Sequence, residues 1–303
     1  MDDGERTRRP HVLFGYDGTA ANGAALRWAV EEARRRDLDL VMCHSWHWPY
    51  ARGHEDRDAE TIMKRAGENR LQRGVRRARE LGAPGEVRGR LMRGPAVDAV
   101  LEASVGAELI VVGANERLEE GGTALEVPAR ADRPVLVVRN ADRPGSPPKR
   151  VVAGVDGTAR CDAALGFAFE EAALRGWDLH VVYGCWEPGA VIDYELALFN
   201  DRELLEKTRA AELEEAVAPW RDRHPEVTMT VSLLLERPCE ALQDAVRDAG
   251  LLVLGDRGTG SYRGVWGVAP PPETGSDPLG ATSTGMLRSA PCPVAIVPGR
   301  AAR

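Results

Sequence analysis

The chain has 303 residues and an ordinary globular composition, with 43% hydrophobic and 29% charged residues, so extensive disorder is excluded. A net charge of −7 excludes the basic surface that nucleic-acid binding needs, and the longest apolar runs, such as residues 109–112, are far too short to cross a membrane. The five cysteines are scattered without a CxxC pair and the N-terminus is charged, which predicts free thiols and a cytoplasmic location.

Two stretches of the chain repeat one pattern: residues 11–20 (HVLFGYDGTA) and 150–159 (RVVAGVDGTA). Each is a short apolar run that ends in Asp-Gly-Thr-Ala, and each is followed by apolar residues at a helical spacing. The remaining predicted elements follow in the same order in both copies: second strands at 39–46 and 178–186; long charged helices at about 59–81 and 195–219; third strands at about 86–92 and 227–235; helices that open at 93–95 and 236–238; fourth strands at 108–113 and 250–255; and fifth strands at 134–138 and 293–297.

Five strands that alternate with helices predict right-handed crossovers and a mainly parallel sheet with helices on both faces. The fourth and fifth runs are continuously apolar, as in strands that are buried on both sides. Residues 139–149, rich in proline, glycine and charge, are predicted to be a linker. The sequence therefore predicts two tandem α/β domains, 1–140 and 149–303, each with a doubly wound five-stranded sheet.

Sheets of this kind bind ligands beyond the carboxyl ends of their strands, where the strand order switches, so the loops after strands one and four form the candidate site. Neither a GxGxxG dinucleotide fingerprint nor a GxxxxGK[ST] P-loop is present. Glycines at Gly255 and Gly258 allow close backbone approach and an anion-binding nest after strand four of the second copy. Gly280, Thr282 and Ser283 stand at a predicted helix N-terminus, which suits a phosphate.

These landmarks resemble the universal stress protein family: the Val-Asp-Gly-Thr element at 155–158, the Gly255-x-x-Gly258 loop, Gly280, and the Ala-Pro-Cys-Pro-Val segment at 290–294. The resemblance covers nearly the whole chain as two tandem copies. It implies a five-stranded fold of strand order 3-2-1-4-5, similar to adenine nucleotide alpha hydrolases and often paired through the last strand. For one branch of the family it also implies ATP held by a Gly-x2-Gly-x9-Gly-(Ser/Thr) signature, with Asp156 beside the adenosine and Val181 near the adenine.

The second copy departs from that signature. Gly258 and Gly280 enclose 21 residues instead of nine, with an insertion at 268–279, and Ala281 follows Gly280. Backbone amides survive this change and the hydroxyls of Thr282 and Ser283 stand close by, so phosphate binding remains the prediction for this copy.

The first copy departs further, because it lacks the second glycine and carries Glu116, Glu119 and Glu120 in the corresponding loop. These carboxylates would repel a phosphate. The nucleotide site of the first copy is therefore predicted to be lost.

Some of these features have purely structural alternatives. Asp17 and Asp156 can form Asx turns, and the glycines from 255 onward can form only a tight turn. The spacing of Cys43, His44 and His47 suits a metal, but the interleaved tryptophans favour packing, so no metal site is predicted. Seven basic residues between 64 and 79 favour a solvated helix face. Residues 281–285 (ATSTG) mimic a nucleophile elbow without a strand directly before it, so no catalytic residue is predicted.

Three functions follow as hypotheses. The first is a stress-response sensor or regulator that binds ATP or a related adenine nucleotide mainly in the C-terminal copy, is at most a slow ATPase, and leaves the need for Mg²⁺ open. The second is a nucleotide-independent scaffold that acts through a regulatory protein partner, with the copies paired within one chain or in a homodimer. The third, a phosphotransfer enzyme, is disfavoured because none of the three lysines, Lys64, Lys149 and Lys207, lies near a phosphate loop.

Overall fold

Strands and helices alternate along both halves of the chain. The computed structural model describes residues 9–19, 22–47, 56–114, 118, 121–139, 148–157, 161–185, 202–257 and 279–299. The chain divides into two units, Met1–Ala141 and Asp142–Arg303, which are called unit 1 and unit 2 below.

Unit 1 contains one five-stranded sheet in which every described strand pairing is parallel, with the order β3-β2-β1-β4-β5. Its elements are β1 (His11–Gly15), α1 (Gly23–Arg36), β2 (Asp39–Trp46), α2 (Arg57–Glu80), β3 (Val87–Arg93), α3 (Ala96–Ala103), β4 (Ala107–Ala114), α4 (Thr123–Arg130) and β5 (Val135–Arg139).

Unit 2 repeats this arrangement with the order β8-β7-β6-β9-β10, again with parallel pairs. Its elements are β6 (Arg150–Val155), α5 (Asp162–Arg175), β7 (Asp178–Gly184), α6 (Arg202–Arg223), β8 (Met229–Leu234), α7 (Pro238–Ala245) with a 3-10 turn (Val246–Asp248), β9 (Leu251–Gly255), α8 (Ala281–Ser289) and β10 (Val294–Val297). In both units the strand order is 3-2-1-4-5, which confirms the predicted fold class.

The core of each unit lies between the sheet and the helices that cover it. The central strands are almost fully buried, as their continuous apolar runs predicted. The helical spacing is confirmed as well, because Leu26, Ala29, Val30 and Ala33 in α1 are all buried. The matching residues of α5 are Leu165, Ala168, Phe169 and Ala172, and they are also buried.

The long charged helices differ from their predicted limits. The first begins two residues early, at Arg57, where the Asp56 side chain accepts hydrogen bonds from the amides of Asp58 and Ala59. The second is described from Arg202 and continues past Pro219 to Arg223, beyond the predicted end at 219. Among the described helices, none combines the length and the apolar character that a bilayer crossing requires.

Helices α1 and α5 carry two matching features. In each, the tenth residue is a buried glutamate that pairs with an arginine four residues later, Glu32 with Arg36 and Glu171 with Arg175. In each, the residue after the helix adopts the left-handed conformation, with φ 52° at Asp37 and φ 60° at Gly176. The two units therefore share details of side-chain packing as well as topology.

Candidate functional site

The strand order of unit 2 switches between β6 and β9, because β6 has β7 on one side and β9 on the other. In open α/β sheets this switch opens a crevice at the carboxyl ends of the strands. The segments that follow β6 and β9, together with the start of α8, line that edge. We call this region the unit 2 edge.

The first side of the unit 2 edge is the turn after β6. Asp156 follows the last residue of the strand, and Gly157 then has a φ of +71°. A side chain at Gly157 would begin 3.0 Å from the ring of Tyr183, so both the backbone conformation and the ring require glycine here. Burial raises the pKa of the Tyr183 phenol, which therefore stays neutral at physiological pH.

Behind this turn lies Cys161, the N-cap residue of α5. Its side chain is buried, and burial, with the negative charge of Asp156, raises the pKa of the thiol to about 11. A thiol with this pKa is not a nucleophile at neutral pH. Cys161 thus contributes packing at the unit 2 edge rather than chemistry.

The second side of the unit 2 edge is the junction between β9 and α8. The hydroxyl of Ser283 donates to the carbonyl oxygen of Gly255 at 2.7 Å, and the amide of Gly280 donates to the carbonyl oxygen of Asp256 at 2.9 Å. These two bonds hold the first turn of α8 against the end of β9. Ser283 is 5% exposed, so its hydroxyl serves this junction.

Helix α8 begins with backbone donors that its own turns do not satisfy. Gly280 is the N-cap residue, has no side chain to cap the helix, and accepts the first intrahelical bond from the amide of Thr284 at 2.9 Å. The amides of Ala281, Thr282 and Ser283 precede that bond and have no acceptor within the helix. Three such amides and the positive end of the helix dipole fit a phosphate group.

Asp256 joins three segments of this edge. Its Oδ1 accepts from the amides of Arg257, at 2.9 Å, and Gly299, at 3.0 Å, while its own amide donates to the carbonyl oxygen of Val297 at 3.0 Å. Sequence reasoning missed this residue. The available signal was an aspartate directly after a buried strand, the same position that Asp156 holds after β6.

Five of the predicted site residues lie at the unit 2 edge, namely Asp156, Gly255, Gly280, Thr282 and Ser283. The structure does not bring Val181 there. It is the fourth of seven residues in β7, is 0% exposed, and pairs with Ala153 and Val231 on the neighbouring strands. Gly258 and residues 268–278 of the predicted insertion lie outside the described residues, and Leu279, at its end, is buried.

The corresponding edge of unit 1 is built from different side chains. Asp17 forms the Asx turn that was its alternative explanation, because its Oδ1 accepts from the amide of Thr19 at 2.7 Å and from the Thr19 hydroxyl at 2.9 Å. The Arg70 side chain lies over the Cα of Gly18. Asn22, the N-cap residue of α1, donates to the carbonyl oxygen of Gly15 and lies against Gly113 at the end of β4. Glu116, Glu119 and Glu120 lie outside the described residues.

Cys43 and His44, which suggested a metal by their spacing, are adjacent residues of β2 and so face opposite sides of the sheet. The Cys43 thiol lies 3.6 Å from the carbonyl oxygen of Ala99, and burial raises its pKa to about 12. The Nδ1 atom of His44 lies 2.7 Å from the carbonyl oxygen of Tyr16. Among the described residues, no three candidate ligand side chains come together around a metal position.

Comparison with known proteins gives one consistent result. The model of the universal stress protein family matches residues 9–139 and again 148–298. A universal stress protein from Mycolicibacterium smegmatis is 27% identical over 94% of this chain and 96% of its own length. One from Mycobacterium bovis is 27% identical over 96% of this chain and 98% of its own. A crystal structure of a universal stress protein from Archaeoglobus fulgidus covers 96% of both chains with a TM-score of 0.68 at 17% identity.

Proposed function

The chain belongs to the universal stress protein family, with one family domain in each half, and we propose that its C-terminal unit binds ATP or a related adenine nucleotide. In this proposal the protein acts in the stress response as a sensor or regulator whose state depends on the bound nucleotide. Unit 1 binds no nucleotide. A cytoplasmic location, a homodimer and a regulatory protein partner stay predictions.

The start of α8 carries this proposal. Its amides at Ala281, Thr282 and Ser283 lack intrahelical acceptors, and the bonds from Ser283 to Gly255 and from Gly280 to Asp256 fix that start beside the strand-order switch. Phosphate oxygens would accept from these amides. This arrangement is the preorganised donor set that anion binding at a helix N-terminus requires.

The remaining roles follow from position. The carboxylate of Asp156, next to the turn at Gly157, is placed to accept a hydrogen bond from a ribose hydroxyl. Gly258 is assigned to the phosphates by the family resemblance. The same resemblance assigns Val181 to the adenine, but because that residue is buried in the middle of β7, the proposal gives it no ligand contact.

The proposal includes at most slow ATP hydrolysis. None of the three lysines of the chain follows β6 or β9, so the lysine that phosphotransfer enzymes place on the phosphates has no counterpart in these two positions. A binding protein needs only the amide donors and the helix dipole. We therefore assign binding and not phosphotransfer to the unit 2 edge.

Calorimetric titration of the full chain with ATP tests the proposal, and Ala281→Pro gives it a specific variant. Proline is tolerated at the first position of a helix, and the preceding Gly280 already has the extended ψ of 151° that a proline requires. The substitution thus removes one amide donor while keeping the helix. We expect a loss of about tenfold or more in ATP affinity, since a hydrogen bond to a charged group contributes about 1.5–3 kcal/mol.

The matched control is Thr123→Pro in unit 1. Thr123 is the first residue of α4, and its N-cap, Gly122, has a comparable ψ of 153°. We expect this variant to bind ATP as the wild type does. If the wild type binds no adenine nucleotide, the scaffold hypothesis replaces this one, and if Thr123→Pro alone weakens binding, the wrong unit has been assigned.

A further inference from the structure

We propose that Asp256 is a positioning residue of the unit 2 edge and that its carboxylate sets the preference of the site among adenine ligands according to their phosphate charge. The inference rests on the proposed function. It adds that the charge of Asp256 opposes the binding of phosphate groups. The site therefore binds nucleosides and monophosphates better, relative to triphosphates, than it would with its amide donors alone.

The positioning role follows from four hydrogen bonds. The Oδ1 of Asp256 accepts from the amides of Arg257 and Gly299, and the backbone of Asp256 bonds to Val297 and Gly280. One residue thus ties the end of β9 to the N-cap of α8 and to the segment after β10. We call this set of bonds the Asp256 clasp. Because Arg257 lies within the Gly255-x-x-Gly258 loop, the clasp also fixes where that loop leaves the strand.

The charge role follows from where the carboxylate stands. Strands β6 and β9 are parallel neighbours with Ala153 opposite Val253, and Asp156 and Asp256 each lie three residues further along. Two carboxylates therefore follow adjacent strands at the edge that would receive the phosphates. Each added phosphate meets more repulsion from them, whereas an uncharged nucleoside meets none. The adjoining cation, Arg257, is exposed, whereas Asp156 and Asp256 are half-buried, so solvent screens the charge of Arg257 more than theirs.

In this proposal, the hydrogen bonds of the Asp256 side chain favour ligand binding, whereas its negative charge opposes the binding of phosphates. The clasp needs an oxygen acceptor at Oδ1, but it does not need the negative charge, since a neutral amide oxygen can accept the same two bonds. Asp256→Asn therefore separates the two roles. Asp256→Ala removes both of them, and Asp248→Asn removes a carboxylate from the exposed 3-10 turn that precedes β9, at the other end of that strand.

The experiment titrates the full chain and these three variants with ATP and with adenosine, at low and high ionic strength, and records melting temperatures without ligand. We expect Asp256→Asn to bind ATP about threefold to tenfold more tightly than the wild type at low salt, with the gain shrinking at about 0.5 M salt. Adenosine affinity should stay unchanged in this variant. Asp256→Ala is equally neutral but lacks the clasp, so it should bind ATP less tightly than Asp256→Asn does and melt at a lower temperature. Asp248→Asn should change neither affinity.

Each other result overturns a stated part. If Asp256→Asn binds ATP no more tightly than the wild type does, the charge role is wrong. If Asp256→Ala binds ATP as tightly as Asp256→Asn does, the positioning role is wrong. If Asp256→Ala does not fold, the salt dependence of Asp256→Asn still decides the charge role. A melting temperature of Asp256→Asn well below that of the wild type would then refute the claim that the clasp needs only an oxygen acceptor. If the wild type binds neither ATP nor adenosine, the proposed function itself is wrong. This outcome is distinct from the others, because they all require a wild type that binds.

Discussion

A glycine with positive φ follows an aspartate at the first turn of each unit, yet a different side chain lies over that glycine in each. In unit 1 Arg70 from α2 lies over Gly18, and in unit 2 the ring of Tyr183 from β7 lies against Gly157. The two glycines have similar backbone angles, with φ +81° at Gly18 and +71° at Gly157. What differs is whether a charged side chain from a neighbouring helix lies over it.

The N-cap of the next helix differs too. Asn22 in unit 1 fills the space between the ends of β1 and β4 with a polar amide, whereas unit 2 has the smaller, buried Cys161. In the last helix of unit 2, Ser283 bonds to the end of β9. The residue at the same distance from the C-cap in the last helix of unit 1, seven positions before it, is Ala124, which has no hydroxyl. Two copies of one scaffold thus differ in the side chains at the carboxyl ends of their central strands.

The largest difference in stability between the two units is expected away from the unit 2 edge, at the buried ion pairs of α1 and α5. Glu171 and Arg175 lie 2.8 Å apart with side chains 1% and 3% exposed, whereas Glu32 and Arg36 lie 3.2 Å apart and Arg36 is 12% exposed. Removing the glutamate takes the carboxylate away from a buried arginine, and the cost is larger where less solvent reaches the arginine. We expect Glu171→Ala to lower the free energy of unfolding by about 3–5 kcal/mol.

Glu32→Ala is the matched variant, and its loss should be smaller because solvent reaches Arg36. Urea denaturation with hydrogen exchange read by mass spectrometry assigns each loss to a unit, since the peptides of the two units are distinct. An equal or larger loss from Glu32→Ala would show that the exposure of the arginine does not govern the strength of this pair.

Most of the fold was predictable because it depends on patterns that the chain repeats. The apolar runs of the strands and the helical spacing at residues such as Leu26 and Leu165 occur at the same offsets in both copies, and the structure buries them as expected. Helix limits were less predictable. The start of α2 depends on the cap at Asp56. Helix α6 continues past Pro219, where Trp220 donates a hydrogen bond to Asp162 and its ring lies against Gly166.

The site was predictable only where a motif fixed the backbone. Glycines and the helix N-terminus led to Gly255 and Gly280, but the bonds made by Asp256 join residues more than forty positions apart, such as Gly299, and no local pattern indicates them. The role of Val181 beside the adenine rests on the family resemblance alone and stays a prediction. The residue itself lies in the middle of β7.

The response to acid offers a second way to test the difference between the units. Unit 1 buries His11 and His44 on β1 and β2, where unit 2 has Arg150 and Tyr183. Burial lowers the pKa of both histidines below the ordinary value of 6.5. The neighbouring arginines lower it further, Arg88 and Arg90 at His11 and Arg70 at His44. Backbone hydrogen bonds and the carboxylates of Asp39 and Asp17 oppose the shift.

The sign follows from proton uptake. The folded state binds these protons less readily than the unfolded state does. The free energy of unfolding of unit 1 is therefore unaffected by the two histidines above pH 6.5 and decreases as the pH falls below that value. Unit 2 has one histidine of this kind, His180, so its loss should be smaller. Hydrogen exchange at pH 7.5 and 5.5 measures both. A double variant, His11→Gln with His44→Gln, should flatten the response of unit 1, and equal responses in the wild type would refute the argument.

The smallest effect concerns the residues that end α1 and α5, where the units differ by one side chain. Asp37 and Gly176 have nearly the same left-handed backbone, φ 52° and ψ 46° against φ 60° and ψ 43°, but only glycine adopts it without a steric cost. We expect Asp37→Gly to stabilise unit 1 by about 0.5–1 kcal/mol and Gly176→Asp to destabilise unit 2 by a similar amount. Urea denaturation of both variants measures the pair. If both variants lose stability, the exposed Asp37 carboxylate stabilises its helix end by more than the backbone strain costs. The last turn of α1 already carries Arg34, Arg35 and Arg36, which interact favourably with the helix dipole.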